Sequence, residues 1–311
     1  MQAIHRQWKI FLLLLFLWPT SLSAQGIFSK ERKYEGLGVS ILPIVYRTPE
    51  TRWAVGASAA LYGRLSDRTK LYLAYLRPEF IYTQNRQWIA RAPWLLYLGN
   101  RWITRGEVGY YNYNYLFFGI GNEQDPDFVE EYEYEHPRVR AEVYRMVRGN
   151  TFIGLTYAYD NVTMNLLDPD GQLAQGEIVG SQGGKVSGLG LNTYVDTRNS
   201  NVFPSSGEYI KSHFEYFGGP IGGDFDFYRY TLSGSKYIRI PWYRLGYDNN
   251  SIGRGKWRLN LSHVLALQVM AQSHWGDVPF DQLARLGGQD RLRGMYEGRL
   301  RDKHAMLFQS E

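Results

Sequence analysis

The residues that could do chemistry are few and scattered. Six histidines and no cysteine occur in 311 residues. The chain has no H-E-x-x-H zinc pattern, no G-x-S-x-G nucleophile elbow and no P-loop. Ser262 and His263 are adjacent, but neighbours on a strand point to opposite faces, so they make a poor hydrolytic pair. His213 falls between Lys211 and Glu215 on what reads as a polar strand face. Asp168-Pro169-Asp170-Gly171 opens like a calcium loop, yet the further oxygen ligands and the closing glutamate are missing, and it reads as a turn. We therefore assign no catalytic, cofactor-binding or metal-binding residue, and an enzyme is not the expected class. Lysine plus arginine number 35 and aspartate plus glutamate 30. They are interspersed, so nothing marks a nucleic-acid partner.

The elements that carry these residues are strands. In Arg138–Met146, Val139, Ala141 and Val143 lie on one face and Arg138, Arg140 and Glu142 on the other. Ile153, Leu155, Tyr157 and Tyr159 alternate with small or polar residues, and Phe214 and Tyr216 oppose Lys211, His213 and Glu215. Leu259, Leu261, Leu265, Leu267 and Val269 oppose Arg258, Asn260, Ser262 and Gln268. Trp53–Tyr62 repeats the pattern. Period two is the strand signature. We count about twelve strands, near 37–47, 53–65, 69–83, 87–98, 101–115, 137–148, 151–165, 185–198, 207–217, 225–239, 257–275 and 302–311. Insertions at 116–136, 166–184, 240–256 and 276–301 alternate with tight connections such as Arg148-Gly149-Asn150, which predicts long loops at one end and short turns at the other.

Two architectures fit the composition, with its 25 Tyr, 9 Trp and 33 Gly. One is an extracellular sandwich. The other is a transmembrane barrel, whose greasy and polar faces average to the modest mean hydropathy of −0.38. Long strands, aromatics near their ends and polar faces of both charge signs favour the barrel, with a charged lumen and a lipid-facing apolar band. The N-terminus agrees. His5, Arg6 and Lys9 precede the apolar run Ile10–Trp18, then Pro19, and Leu22-Ser23-Ala24 offers a cleavage site before Gln25. That is the layout of a signal peptide, too short to span a bilayer as a helix. The expected organisation is a signal peptide at 1–24, a short periplasmic segment at 25–35 and an outer-membrane barrel from 36 to 311.

Three stretches go beyond a generic barrel. The first is Leu286-Gly287-Gly288-Gln289-Asp290-Arg291-Leu292-Arg293-Gly294-Met295-Tyr296, followed by Phe308-Gln309-Ser310-Glu311. The second joins Gly188-Leu189-Gly190 and Asp196-Thr197-Arg198-Asn199 to Pro204-Ser205-Ser206-Gly207. The third is Phe117-Phe118-Gly119-Ile120-Gly121-Asn122. Together they resemble the BamA/TamA outer-membrane assembly-factor superfamily, also called the bacterial surface antigen family.

The resemblance implies a bacterial outer-membrane barrel, sixteen-stranded in the family, of which about twelve strands are expected here. The chain would then stop inside the twelfth, an incomplete barrel. Gln25–Gly36 has no room for a POTRA domain, so a POTRA-less member is expected. The tetrad Leu292-Arg293-Gly294-Met295 matches the family's lumen loop, with Met295 in place of its aromatic and Tyr296 next to it. Glu311 stands where the family has an inward acid, so Arg293 and Glu311 are expected to touch. An arginine losing water in the lumen needs such a partner. Asp196, Arg198, Pro204 and Gly207 would form a structural turn block. The implied role is assembly or translocation of outer-membrane proteins, or envelope structure. The alternative is a passive pore or surface antigen without insertase activity. Implied partners are outer-membrane lipid, unfolded outer-membrane protein clients or a periplasmic partner.

Overall fold

The computed structural model describes residues 37–48, 51–63, 74–99, 101–125, 127–166, 168–200, 203–240, 244–248, 256–260, 263–288 and 291–311. The expected signal peptide and the 25–35 segment lie outside them.

The first half of the main sheet comprises β1 (Leu37–Thr48), β2 (Arg52–Gly63), β3 (Ala74–Leu76), β4 (Glu79–Thr83), β5 (Trp88–Leu98), β6 (Trp102–Phe117) and β7 (Glu130–Arg148). It continues through β8 (Thr151–Leu166), β9 (Gly184–Asp196), β10 (Gly207–Phe217) and β11 (Phe227–Ile240). Two short strands, β12 (Arg244–Asp248) and β13 (Lys256–Asn260), pair only with each other, and β14 (His263–Gly276) rejoins the sheet. A second small ladder joins β15 (Ala284–Leu286) to β16 (Leu300–Asp302), and β17 (His304–Ser310) pairs with β14.

Every ladder is antiparallel, and the order follows the chain from β1 to β17. β3 and β4 are halves of one strand, both lying between β2 and β5. The main sheet therefore has twelve positions, as the alternation predicted. This is the transmembrane antiparallel β-barrel architecture, and its faces are inverted relative to a soluble sheet. Outward-pointing Val39, Ile41, Val55, Leu155, Leu189 and Leu191 are each more than half exposed. Inward-pointing Glu142, Asp160, Asn192, Glu215 and Arg229 are buried. Only a solvent of lipid outside and a polar interior makes that arrangement stable.

Two of the expected strands differ markedly from those observed. β7 begins at Glu130, so part of the expected 116–136 insertion is strand. Pro137 hid it, because proline cannot donate to a ladder and reads as a strand break. In Glu130–Pro137 the outward positions are Glu131, Glu133 and Glu135, below which Val139, Ala141 and Val143 take over. The strand thus continues past the apolar band into water. The expected strand 257–275 is divided: β13 ends at Asn260 and pairs with β12, and β14 starts at His263. Its connection from β11 lies at the end with the tight turns rather than with the long loops. Antiparallel order alternates ends, and β11–β14 joins the tenth position to the eleventh.

At the long-loop end, Phe117, Tyr132, Tyr134, Phe217, Phe227 and Phe280 belong to one buried cluster that also takes in Leu173, Val278 and Leu283. Its aromatics come from four strands, β6, β7, β10 and β11, and from the segment after β14. An apolar stopper of this kind buries against itself, as in any core, but it sits on the concave side of the sheet.

Candidate functional site

The site is the long β14–β17 connection and the charged inner wall against which it folds. Asp277–Gly288 and Arg291–Lys303 form a strap, with the β15–β16 ladder as its stem and the residues between Leu286 and Leu300 as its tip. Gly287 makes the tip possible: its φ is +108°, and a Cβ there would lie 2.0 Å from the Tyr296 carbonyl oxygen. Gly288 N–H donates to the Met295 carbonyl at 2.9 Å, and Gly298 N–H to the Leu286 carbonyl at 3.0 Å. Leu292 holds φ +65°, uncommon for a branched side chain, and Gly294 follows at +90°. Gln289 and Asp290 of the motif lie outside the described residues.

Arg293 Nη1 stands 2.9 Å from Glu311 Oε1. The two side chains remain 68% and 52% exposed, so the pair is wet and the expected loss of water by the arginine is not seen. Glu311 is held by reciprocal backbone hydrogen bonds with Ala266 at 2.9 Å, which extend the β14–β17 ladder by one residue. Leu292 N–H reaches Gln309 Oε1 at 3.4 Å, a second link between tip and β17.

The strap also crosses to the exit of β6. Tyr296 packs edge-on against Phe118 with centroids 5.5 Å apart, and the Arg299 guanidinium lies 4.6 Å from the Phe118 ring centroid. Gly121 N–H donates to the Arg301 carbonyl at 2.8 Å. The buried Arg301 guanidinium sits over Phe117 and Phe280, 5.6 and 5.2 Å from their centroids. Thus the glycine-rich exit Phe117–Asn122 and the Arg293 loop, far apart in sequence, meet through Tyr296, Arg299 and Arg301.

Asp196 and Arg198 form a two-pronged pair, Nε–Oδ1 at 2.9 Å and Nη2–Oδ2 at 2.8 Å, with the guanidinium stacked 4.7 Å from the Tyr209 centroid. Asn199 Oδ1 accepts the Ser205 and Ser206 amides at 2.9 and 3.1 Å, which closes the turn around Pro204. Gly207 opens β10 at φ +95°.

Sequence reading missed the inner wall as a connected unit. Arg105 Nε donates to Glu142 at 2.6 Å and its Nη2 to the Tyr144 hydroxyl at 3.0 Å, and Lys211 Nζ lies 3.3 Å from the same carboxylate. Arg140 and Arg229 donate to Glu215 at 3.0 and 2.6 Å, and Arg138 to Asp160 at 2.7 Å. Gly190 leaves room for this: a Cβ there would lie 2.6 Å from Glu215 Cγ. The strap joins the network, since Asp281 accepts from the Tyr134 hydroxyl at 2.9 Å and Gln282 from Arg229 at 3.5 Å. Asp277-Val278-Pro279-Phe280 carried the available signal, an apolar pair inside an otherwise polar insertion. His213 and His263 do not share a site: His213 is buried on the inner wall and His263 is exposed on the outer face. The wall, the strap and β17 together line a half-open cavity of about 1130 Å³.

An Omp85 superfamily domain model matches residues 56–307. No curated protein matches the sequence. Among solved structures, BamA from Haemophilus ducreyi lacking POTRA domains 1–3 is similar, with a TM-score of 0.53 at 15% identity. The alignment covers 86% of this chain and 47% of that one, so this chain spans about half the length of the relative, and at such identity the likeness speaks for the fold alone. The family model takes in β3 to β16 whole, together with the Arg293 loop and the inner wall, and on that match the chain belongs to the Omp85 superfamily of outer-membrane β-barrel proteins.

Proposed function

We propose that this chain is exported by a signal peptide at residues 1–24 and acts from the bacterial outer membrane in the assembly or translocation of outer-membrane proteins, or in envelope structure. Its partners in this reading are membrane lipid and either unfolded outer-membrane protein clients or a periplasmic protein. The observation that carries it is the docking of the Arg293 loop: its tip reaches Glu311 beside β17, and its flank reaches Phe118 at the exit of β6. One strap thus ties the end of the sheet to a position seven strands away, and a strap so placed couples the state of the lumen to the state of the wall. Leu292, Arg293, Gly294, Met295 and Tyr296 carry this role, with Glu311 as lumen partner. Asp196, Arg198, Pro204 and Gly207 serve as a structural turn block. Depletion of the protein followed by quantitation of the outer-membrane proteome tests the reading. Selective loss of other barrels is expected, and unchanged levels of all of them would refute it.

The cavity favours a second reading, a passive pore or surface antigen on the same scaffold. Conductance in planar bilayers without any client defect on depletion would select it.

A further inference from the structure

The inner wall is layered by charge. Its carboxylates lie deepest: the side chains of Glu142, Asp160 and Glu215 are 8%, 11% and 2% exposed. Cations cover them. Arg105, Arg138 and Arg140 are each about a third exposed, and Lys211 and Arg229 complete the layer. Five cations therefore serve three carboxylates. Glu142 is shared by Arg105 and Lys211, and Glu215 by Arg140 and Arg229. Around the whole cavity, nine arginines and lysines face six carboxylates.

A buried carboxylate is neutralised by its first cation, and the second leaves a net positive charge directed into the cavity. A guanidinium has five N–H donors. Arg138 spends only Nε on Asp160, and Arg140 only Nη2 on Glu215 at hydrogen-bond distance. Both side chains line the cavity, and Arg140 Nε also stands 3.7 Å from Glu142 Oε1. A concave, low-dielectric wall focuses such a field, and planar guanidinium groups match tetrahedral oxyanions.

We infer that this wall is an anion-binding surface, and that its ligand is a multiply charged phosphate-class anion entering the cavity between the strap and β6–β11. The inference stands apart from the proposed function: it needs the lumen wall and not a client protein.

Inorganic pyrophosphate is the probe, titrated into the full chain in maltoside micelles by isothermal calorimetry. Trp94, which lines the cavity, gives a parallel fluorescence signal. Saturable binding that weakens as sodium chloride rises is expected. Arg140→Gln should weaken it, and Glu107→Gln, which removes a cavity carboxylate, should tighten it. Each change is on the order of fivefold for one unit charge at a screened distance of about 8 Å. Heat-modifiable migration on gels shows that each variant is folded, and if Arg140→Gln does not fold, Glu107→Gln and the salt series decide. Displacement of pyrophosphate by short-chain phosphatidylglycerol would identify a lipid headgroup as the source of the phosphate, and no displacement a soluble anion. Absence of saturable binding, or a Glu107→Gln change that weakens it, would overturn the inference.

Discussion

Glu215→Gln should cost far more stability than Glu311→Gln, although Glu311 holds the partner that the motif singles out. Glu215 is 2% exposed and takes hydrogen bonds from Arg229 at 2.6 Å and Arg140 at 3.0 Å. Glutamine keeps the shape and removes the charge, which leaves two guanidinium groups facing each other without compensation. Breaking a buried ion pair typically costs about 3–5 kcal/mol. Arg229 is only 10% exposed and bears most of that, whereas Arg140 is 37% exposed and partly screened by lumen water, so we expect about 3 kcal/mol. Glu311 and Arg293 are both more than half exposed, and such a pair contributes about 0–1 kcal/mol. The gap between the two variants is thus about 2 kcal/mol or more, a factor of roughly 30 in the unfolding equilibrium. Guanidinium unfolding of the reconstituted protein, followed by tryptophan fluorescence, measures it. Equal destabilisation by the two variants, or a neutral Glu215→Gln, would refute a dry, energetically dominant inner wall.

Three further outcomes follow from the same geometry. Gly287→Ala places a Cβ against the Tyr296 carbonyl in a left-handed backbone, so proteolysis within Gly287–Arg299 should accelerate while the tryptophan unfolding midpoint stays put. A double-mutant cycle with Phe118→Ala and Tyr296→Ala should show a coupling of about 0.5–1.5 kcal/mol, and a coupling of zero would mean the strap does not dock on the β6 exit. Asp196→Asn removes the two-pronged bond to Arg198 and should lower stability by about 1–2 kcal/mol in the same unfolding assay, with Arg198→Lys doing nearly as much because a point charge cannot replace the fork.

Much of the wall was legible because alternation is a local property. Val139, Ala141 and Val143 against Arg138, Arg140 and Glu142 declare two faces without reference to any other strand. Glu130–His136 alternates just as strictly, yet Pro137 and the absence of outward apolar residues masked it. The pairing of β12 with β13 depends on backbone bonds between segments whose side-chain pattern does not break at residue 260, so sequence read one strand where two exist. The reach from Arg293 to Glu311 came from a motif. What the motif could not supply was exposure, and exposure sets the energy of the pair.

The order of residues alone determined the twelve strand positions, the inversion of their faces and the loop that carries Arg293, because each follows from period-two alternation, turn chemistry or a local motif. Only the tertiary structure decided which charges are dry. Arg105 with Glu142 and Arg229 with Glu215 are register neighbours on paired strands, but Lys211–Glu142 and Arg140–Glu215 join β10 to β7, and these contacts exist because curvature brings non-adjacent strands to a common concave face. The same curvature lets Phe280 and Arg301 of the strap close over Phe117. Distances across a lumen are set by how the whole sheet bends, and no stretch of sequence encodes that by itself.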